Sequence, residues 1–249
     1  MVFFIGRSAG PHKPLALVTL CFTCIFTVAW SASGLAAEVD EEAYSASAVA
    51  NALAALDARK LDEHWFFTLT IDHEGEQRTV RSDPREPPAL RRTLVSVEDR
   101  PATEEERRSF RAEEEERIAE ENTGEQGFSR LVDIASLNLL GIDGDVAEYA
   151  FVPVIPKLEK ASDSLRGKLL LDWQQGDIRS IDVFNVEKFS PAFPVSVEHF
   201  LLRFEFSQTA GHNLLALTES RTRGTLALVK AFDSTTRIEF GEYKALEQM

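Results

Sequence analysis

The sequence predicts an α+β fold: a curved antiparallel β-sheet, or half-barrel, with an N-terminal helix and one or two further helices packed on it. Three observations carry this expectation. Residues 145–243 form an almost unbroken series of strand-length segments in which apolar and polar residues alternate. Turn chemistry separates them at Asp143-Gly144, Gln175-Gly176-Asp177, Ala210-Gly211-His212-Asn213, Arg223-Gly224 and Asp233-Ser234. Residues 41–56, by contrast, are rich in alanine and place their apolar positions at helical spacing. The clearest strand is 200–206, with Phe200, Leu202, Phe204 and Phe206 on one face and Arg203 and Glu205 on the other.

Residues 1–36 have the layout of a secretory signal peptide. Arg7, His12 and Lys13 make a basic start, Leu15 to Trp30 is apolar, and Gly34 and Ala36 stand where a signal peptidase reads. Cleavage after Ala36 and a periplasmic location are expected. An uncleaved anchor is the rival, but the apolar run is short for a span of about 20 residues. Cys21 and Cys24 lie inside this leader, so cleavage leaves a mature chain without cysteine and then excludes thiol or disulfide chemistry. Removing Arg7 and Lys13 from the 27 basic residues leaves 25 against 41 acidic ones, a balance of −16. Such a chain is repelled by nucleic-acid phosphates and anionic lipid surfaces. Residues 37–249 are expected to form a single half-barrel domain, without an integral membrane segment after cleavage.

The mature chain opens with a helix over residues 41–56, with Asp40 as N-cap and Tyr44, Ala48, Val49, Ala52, Leu53 and Leu56 on its packing face. Residues 64–72 make a strand with Trp65, Phe67, Leu69 and Ile71 on one side. A turn at 73–76 leads to its hairpin partner, 77–82. Asp83-Pro84-Arg85-Glu86-Pro87-Pro88 is a stiff loop, since proline fixes φ and lacks an N–H donor. Leu94, Val95 and Val97 then mark a third strand.

Residues 103–121 form a charged helical excursion. Thr103 and Glu106 have capping-box spacing, and the pairs Glu104–Arg108 and Glu113–Arg117 are each expected to contribute about 0.2–0.5 kcal/mol. Phe110 and Ile118 are its few apolar residues, so a largely solvated helix is expected. Residues 128–140 suit a second packing helix, stopped at Gly141. Seven strands follow: Val146–Val154, Lys168–Trp173, Ile178–Val186, Val195–Phe206, Leu214–Ser220, Thr225–Ala231 and Thr236–Tyr243.

No catalytic constellation emerges, so no catalytic residue, cofactor or metal is assigned. His64, His73, His199 and His212 follow no zinc-ligand spacing. Asp143-Gly144-Asp145 matches only a fragment of a calcium loop and suits a hairpin turn better. Nucleophile elbows, Walker loops and Rossmann glycines are absent, and Ser180, Ser190 and Ser196 have no identifiable base. The stiff loop at Phe189, Pro191, Phe193 and Pro194 is either a crossover packed on the core edge or a rim or lid over a cavity.

The apolar faces are the largest constellation. They comprise Trp65, Phe67 and Leu69, then Tyr149 and Phe151, then Leu169 and Leu171. Further on come Phe200, Leu202, Phe204 and Phe206, then Leu226 and Leu228, and finally Ile238 and Phe240. As an ordinary core they need no ligand. Around a cavity they would bind a lipid or acyl chain, each buried methylene contributing about 0.8 kcal/mol.

An N-terminal helix, a long antiparallel meander and helices laid into it resemble the LolA/LolB-like lipoprotein-sorting half-barrels. Arg166-Gly167-Lys168-Leu169-Leu170-Leu171-Asp172, followed by Gly176-Asp177-Ile178, looks like the strand-turn-strand element that recurs in that family. The resemblance spans most of residues 40–244. It implies a concave apolar face that shields acyl chains, with no catalysis or cofactor. The acidic helix at 103–121 departs from the pattern.

Two functions are therefore expected. The first is a non-catalytic periplasmic carrier or binding module for a lipid or an acylated protein. The second is an envelope interaction or assembly module with a filled core, whose residues 103–121 meet a basic protein partner. A hydrolase on such a sheet would need a buried polar cluster. An outer-membrane barrel would need lipid-facing bands, whereas Arg179, Arg203, Glu205, Arg237 and Glu239 stand opposite the apolar faces.

Overall fold

The computed structural model describes residues 44–121, 127–156, 158–227 and 230–246. The leader-like residues 1–36 with the expected cleavage site, the expected Asp40 cap and Leu228 lie outside these residues. The fold is α+β: one open sheet of eleven antiparallel strands, not closed into a barrel, with a few helices packed on it.

Helix α1 (Ala46–Ala58) begins at Ser45, whose Oγ accepts the Ala48 N–H at 3.3 Å. It starts later than the alanine pattern suggested because Ser45 offers the cap that satisfies an orphan amide. A four-residue turn, α2 (Leu61–His64), leads into β1 (Trp65–His73), β2 (Glu76–Ser82), β3 (Arg92–Val97) and the short β4 (Arg100–Pro101). Helices α3 (Glu104–Glu121) and α4 (Phe128–Leu131) follow. The second meander is β5 (Asn138–Asp143), β6 (Val146–Phe151), β7 (Leu165–Asp172), β8 (Asp177–Asn185), β9 (Val195–Thr209), β10 (His212–Leu226) and β11 (Lys230–Ala245).

The strand order is β4-β3-β2-β1-β11-β10-β9-β8-β7-β6-β5. Two meanders are thus welded into one sheet by the antiparallel pairing of β1 with β11, where Leu69 faces Phe240 and Ile71 faces Ile238. The connection from β4 to β5, which holds α3 and α4, starts at one edge of the sheet and ends at the other. Five of the ten strand pairings carry a register shift, among them Phe66/Thr68, Leu170/Leu171 and Leu215/Leu217. Each shift adds local twist and bends the strand, which explains why so wide a sheet curves.

The inner face can be followed as a row of directly paired residues: Tyr149, Leu169, Ile181, Phe204, Thr218, Ile238, Ile71 and Arg78. Two cores form on this face. One joins Val49, Leu53 and Leu56 of α1 to Leu169, Leu171, Ile181 and their neighbours on β6–β9. The other joins Phe110 of α3 to Trp65, Phe67, Leu69, Val80 and Leu94. The outer face carries charge: Arg203 donates to Asp182 at 2.9 and 3.1 Å and lies opposite Glu219 of β10.

Several local expectations are corrected. Residues 128–140 do not form one helix: α4 stops at Leu131, Val132 bridges to Pro153, a 3₁₀ turn covers Ile134–Ser136, and β5 begins at Asn138. Pairing with β6 overrides the helical spacing, and Gly141 lies inside a strand. Arg223-Gly224 and Asp233-Ser234 are not turns but lie within β10 and β11, which pair continuously from Leu217/Glu239 to Leu226/Lys230. The segment Thr225–Ala231 is accordingly no separate strand. Gly224 is there because an added Cβ would overlap the Ser196 carbonyl. Among the described residues the ion pairs within α3 are i,i+3, Glu104–Arg107 and Glu114–Arg117 at 2.8 Å each, in place of the expected i,i+4 pairs. The capping box forms: Thr103 N–H donates to Glu106 Oε2 at 2.8 Å, and Glu106 N–H to Thr103 Oγ1 at 3.3 Å.

Candidate functional site

The helices cover the inner face at its two flanks. At one flank α1 packs on β8, and the core there is closed: Leu169, Leu171, Ile178, Ile181 and Val183 are completely buried. Gly167 of β7 lies against the Phe151 ring, and an added Cβ would overlap it. At the other flank α3 docks on β3. Phe110 and Glu114 are its buried contacts, Arg78 of β2 reaches Glu113 at 3.4 Å, and Arg92 of β3 lies 4.0 Å from Glu114. The largely solvated helix is therefore anchored by one aromatic residue and a set of ion pairs.

Between these flanks the inner faces of β9, β10, β11 and β1 form a half-buried strip. Its apolar members are Leu202, Phe204 and Phe206, with Ile238, Phe240 and Ile71 across the strands. Phe128 of α4 touches its margin, with its ring edge-on to both Phe204 and Phe206 at 5.1 Å. Strands β10 and β11 contribute hydroxyls here. Thr218, Ser220 and Thr222 face inward along β10, paired with Phe204, Leu202 and Phe200 on one side and Ile238, Thr236 and Ser234 on the other. Thr222 Oγ1 is buried with no hydrogen-bond partner among the described residues. A sealed core selects against such groups, because a buried hydroxyl without a partner costs about 1–3 kcal/mol.

The structure distributes the sequence-predicted lining residues unevenly. Trp65, Phe67 and Leu69 are buried in the core beneath α3. Tyr149, Phe151, Leu169, Leu171 and Phe200 are buried in the core beneath α1. Leu202, Phe204, Phe206, Ile238 and Phe240 are only partly buried, and Leu226 is half-buried at the end of β10. The loop at 189–194 divides: Phe189 packs into the core and bridges to Val197, Pro191 and Pro194 are half-buried, and Phe193 is 96% exposed. The hydroxyl row of β10 was missed from sequence, although Thr218, Ser220 and Thr222 recur with the period of a strand.

Two tyrosines brace the sheet, one to the chain just ahead of α1 and one between β11 and β10. Tyr149 OH donates to the Tyr44 carbonyl at 2.6 Å and Tyr243 OH to the Leu215 carbonyl at 2.5 Å. Burial pushes both phenols up from their ordinary values, so both remain neutral donors. The histidines are dispersed. His73 Nδ1 is 2.8 Å from Thr236 Oγ1, His212 lies edge-on to Trp65 at 5.1 Å, and His64 and His199 are exposed. Among the described residues no cluster of three His, Cys, Asp or Glu side chains is placed to hold a metal, and no helix is long and apolar enough to cross a membrane.

No family model, curated protein or solved structure significantly matches this chain.

Proposed function

We propose that this protein is a non-catalytic periplasmic carrier whose inner face holds the apolar chain of a lipid or an acylated protein. The carrying observation is the half-buried strip between the two helical flanks, where Leu202, Phe204, Phe206, Ile238 and Phe240 remain partly open to solvent. An acyl chain laid along these residues would gain about 0.8 kcal/mol per buried methylene. The β10 hydroxyls would meet a polar group at the chain's end. The open curved sheet with helices on one face agrees with the LolA/LolB-like layout that the sequence resembles. The leader-like residues 1–36 support export.

The reading is tested by titrating the mature chain with a fluorescent fatty acid. Saturable uptake is expected, with strong loss in Phe204→Glu, which places a charge in the strip where it packs against the core under α1; circular dichroism checks that the variant remains folded. Absence of uptake by the folded wild-type chain, together with absence of lipid in solvent extracts of native material, overturns the proposal.

A further inference from the structure

A cavity away from the strip has the opposite chemistry. It is a cleft of about 690 Å³ at the end of the sheet where β1, β2, β3 and β11 meet the loop before β3 and the first half of α3. Its walls carry six cationic side chains, Arg81, Arg85, Arg92, Arg107, Arg111 and Lys244, and three carboxylates, Asp83, Glu86 and Glu242. In a chain of net charge −14 this is a local reversal of sign.

Internal pairing accounts for only part of that charge. Arg85 clamps Asp83 at 2.8 Å, Arg92 pairs with Asp62 at 2.7 Å, and Arg107 pairs with Glu104 at 2.8 Å. Glu242 Oε2 accepts the Thr68 hydroxyl at 2.6 Å. Arg81, Arg111 and Lys244 form no ion pair among the described residues. Their placement is set by the sheet. Thr68, Arg81 and Thr93 are directly paired neighbours on three adjacent strands, and Lys244 is paired with Phe66. The Arg85 guanidinium lies 4.7 Å above the Phe66 ring and its edge is held by the Asp83 carboxylate, so one wall of the cleft is already ordered.

We infer that this cleft binds an oxyanion, a phosphate or carboxylate group, either free or at the head of an amphiphile. Arg81, Arg111 and Lys244 would take the charge and Thr93 would add a hydroxyl donor. Guanidinium groups match such anions with paired N–H donors. The volume suits a small organic ligand, and Phe66 and Leu90 supply apolar wall beside the cations. This site is separate from the proposed acyl-chain strip, so either can fail without the other.

Isothermal titration at low salt with inorganic phosphate, hexyl phosphate and hexanol tests the inference. Either phosphate should bind and hexanol should not. Equal affinity for the two phosphates marks a free anion, and tighter hexyl phosphate marks a headgroup. Arg81→Glu with Arg111→Glu should weaken binding about tenfold or more, the scale of one lost charge-assisted hydrogen bond. Both residues are exposed, so circular dichroism of the variant is expected to match wild type. Arg223→Glu, an exposed change on β10, is the control and should bind as wild type. No phosphate binding, binding undiminished in the double variant, or hexanol binding as tight as hexyl phosphate overturns the proposal.

Discussion

Asp57, in the last turn of α1, accepts the backbone N–H of Phe128 at 2.6 Å. The same carboxylate accepts the Ser129 N–H at 3.0 Å and the Ser129 hydroxyl at 2.5 Å. An acidic residue at a helix C-terminus is unfavourable for its own helix, because the macrodipole there is negative. Asp57 instead caps α4, the element that brings Phe128 onto Phe204 and Phe206. Gly127 makes this approach feasible, since a Cβ there would stand 2.8 Å from Asp57 Oδ2.

Asp57→Ala removes all three hydrogen bonds. A stability loss of about 0.5–2 kcal/mol is expected, the range for a lost N-cap, and is measured by denaturant unfolding. Release of Phe128 should also raise the dissociation rate of a bound fluorescent fatty acid. Unchanged stability and unchanged dissociation would show that Asp57 does not hold this margin of the strip.

Gly167→Ala tests whether the flank beneath α1 is closed. The new methyl group would collide with the Phe151 ring, which lies within a fully buried core. Overpacking of this kind costs about 1–3 kcal/mol. A lowered urea midpoint at unchanged m-value is the expected result. A neutral substitution would mean that the ring moves into free space under α1.

Acid should act on the start of α3. The Arg100 hydrogen bond, then the Thr103 amide, hold the Glu106 carboxyl down from 4.5 to about 2. A depressed carboxyl contributes stability that is fully present above its unfolded value near 4.5 and is lost as pH falls through about 2. Carboxyl NMR titration should therefore show Glu106 ionised at pH 3.5. Arg100→Ala should move its titration upward, toward the ordinary glutamate range.

The alternation at 200–206 was enough to place Phe204 inward and Arg203 outward, because a strand's side-chain period of 2 holds wherever the strand pairs. Gly75, Gly144, Gly176 and Gly211 were readable as turns for a similarly local reason: each has positive φ, which glycine tolerates best. Gly224 was misread by the same rule. Its cause is the nearby Ser196 carbonyl, 28 residues earlier in the chain, and no local signal encodes that contact. The break in 128–140 was hidden likewise, since β5 exists only through its pairing with β6.

By itself, the sequence determined an acidic chain, an antiparallel sheet with one apolar face, and the helices available to cover it. These properties follow from composition and short-range periodicity. Only the tertiary structure decided how the cover is divided. It joined β1 to β11, carried the chain from β4 at one edge to β5 at the other, and set α1 and α3 on opposite flanks. It also gathered Arg81, Arg111 and Lys244 from three distant segments into one cleft. The physical reason is that burial and charge proximity are properties of pairs brought together by folding, whereas the sequence specifies each partner separately.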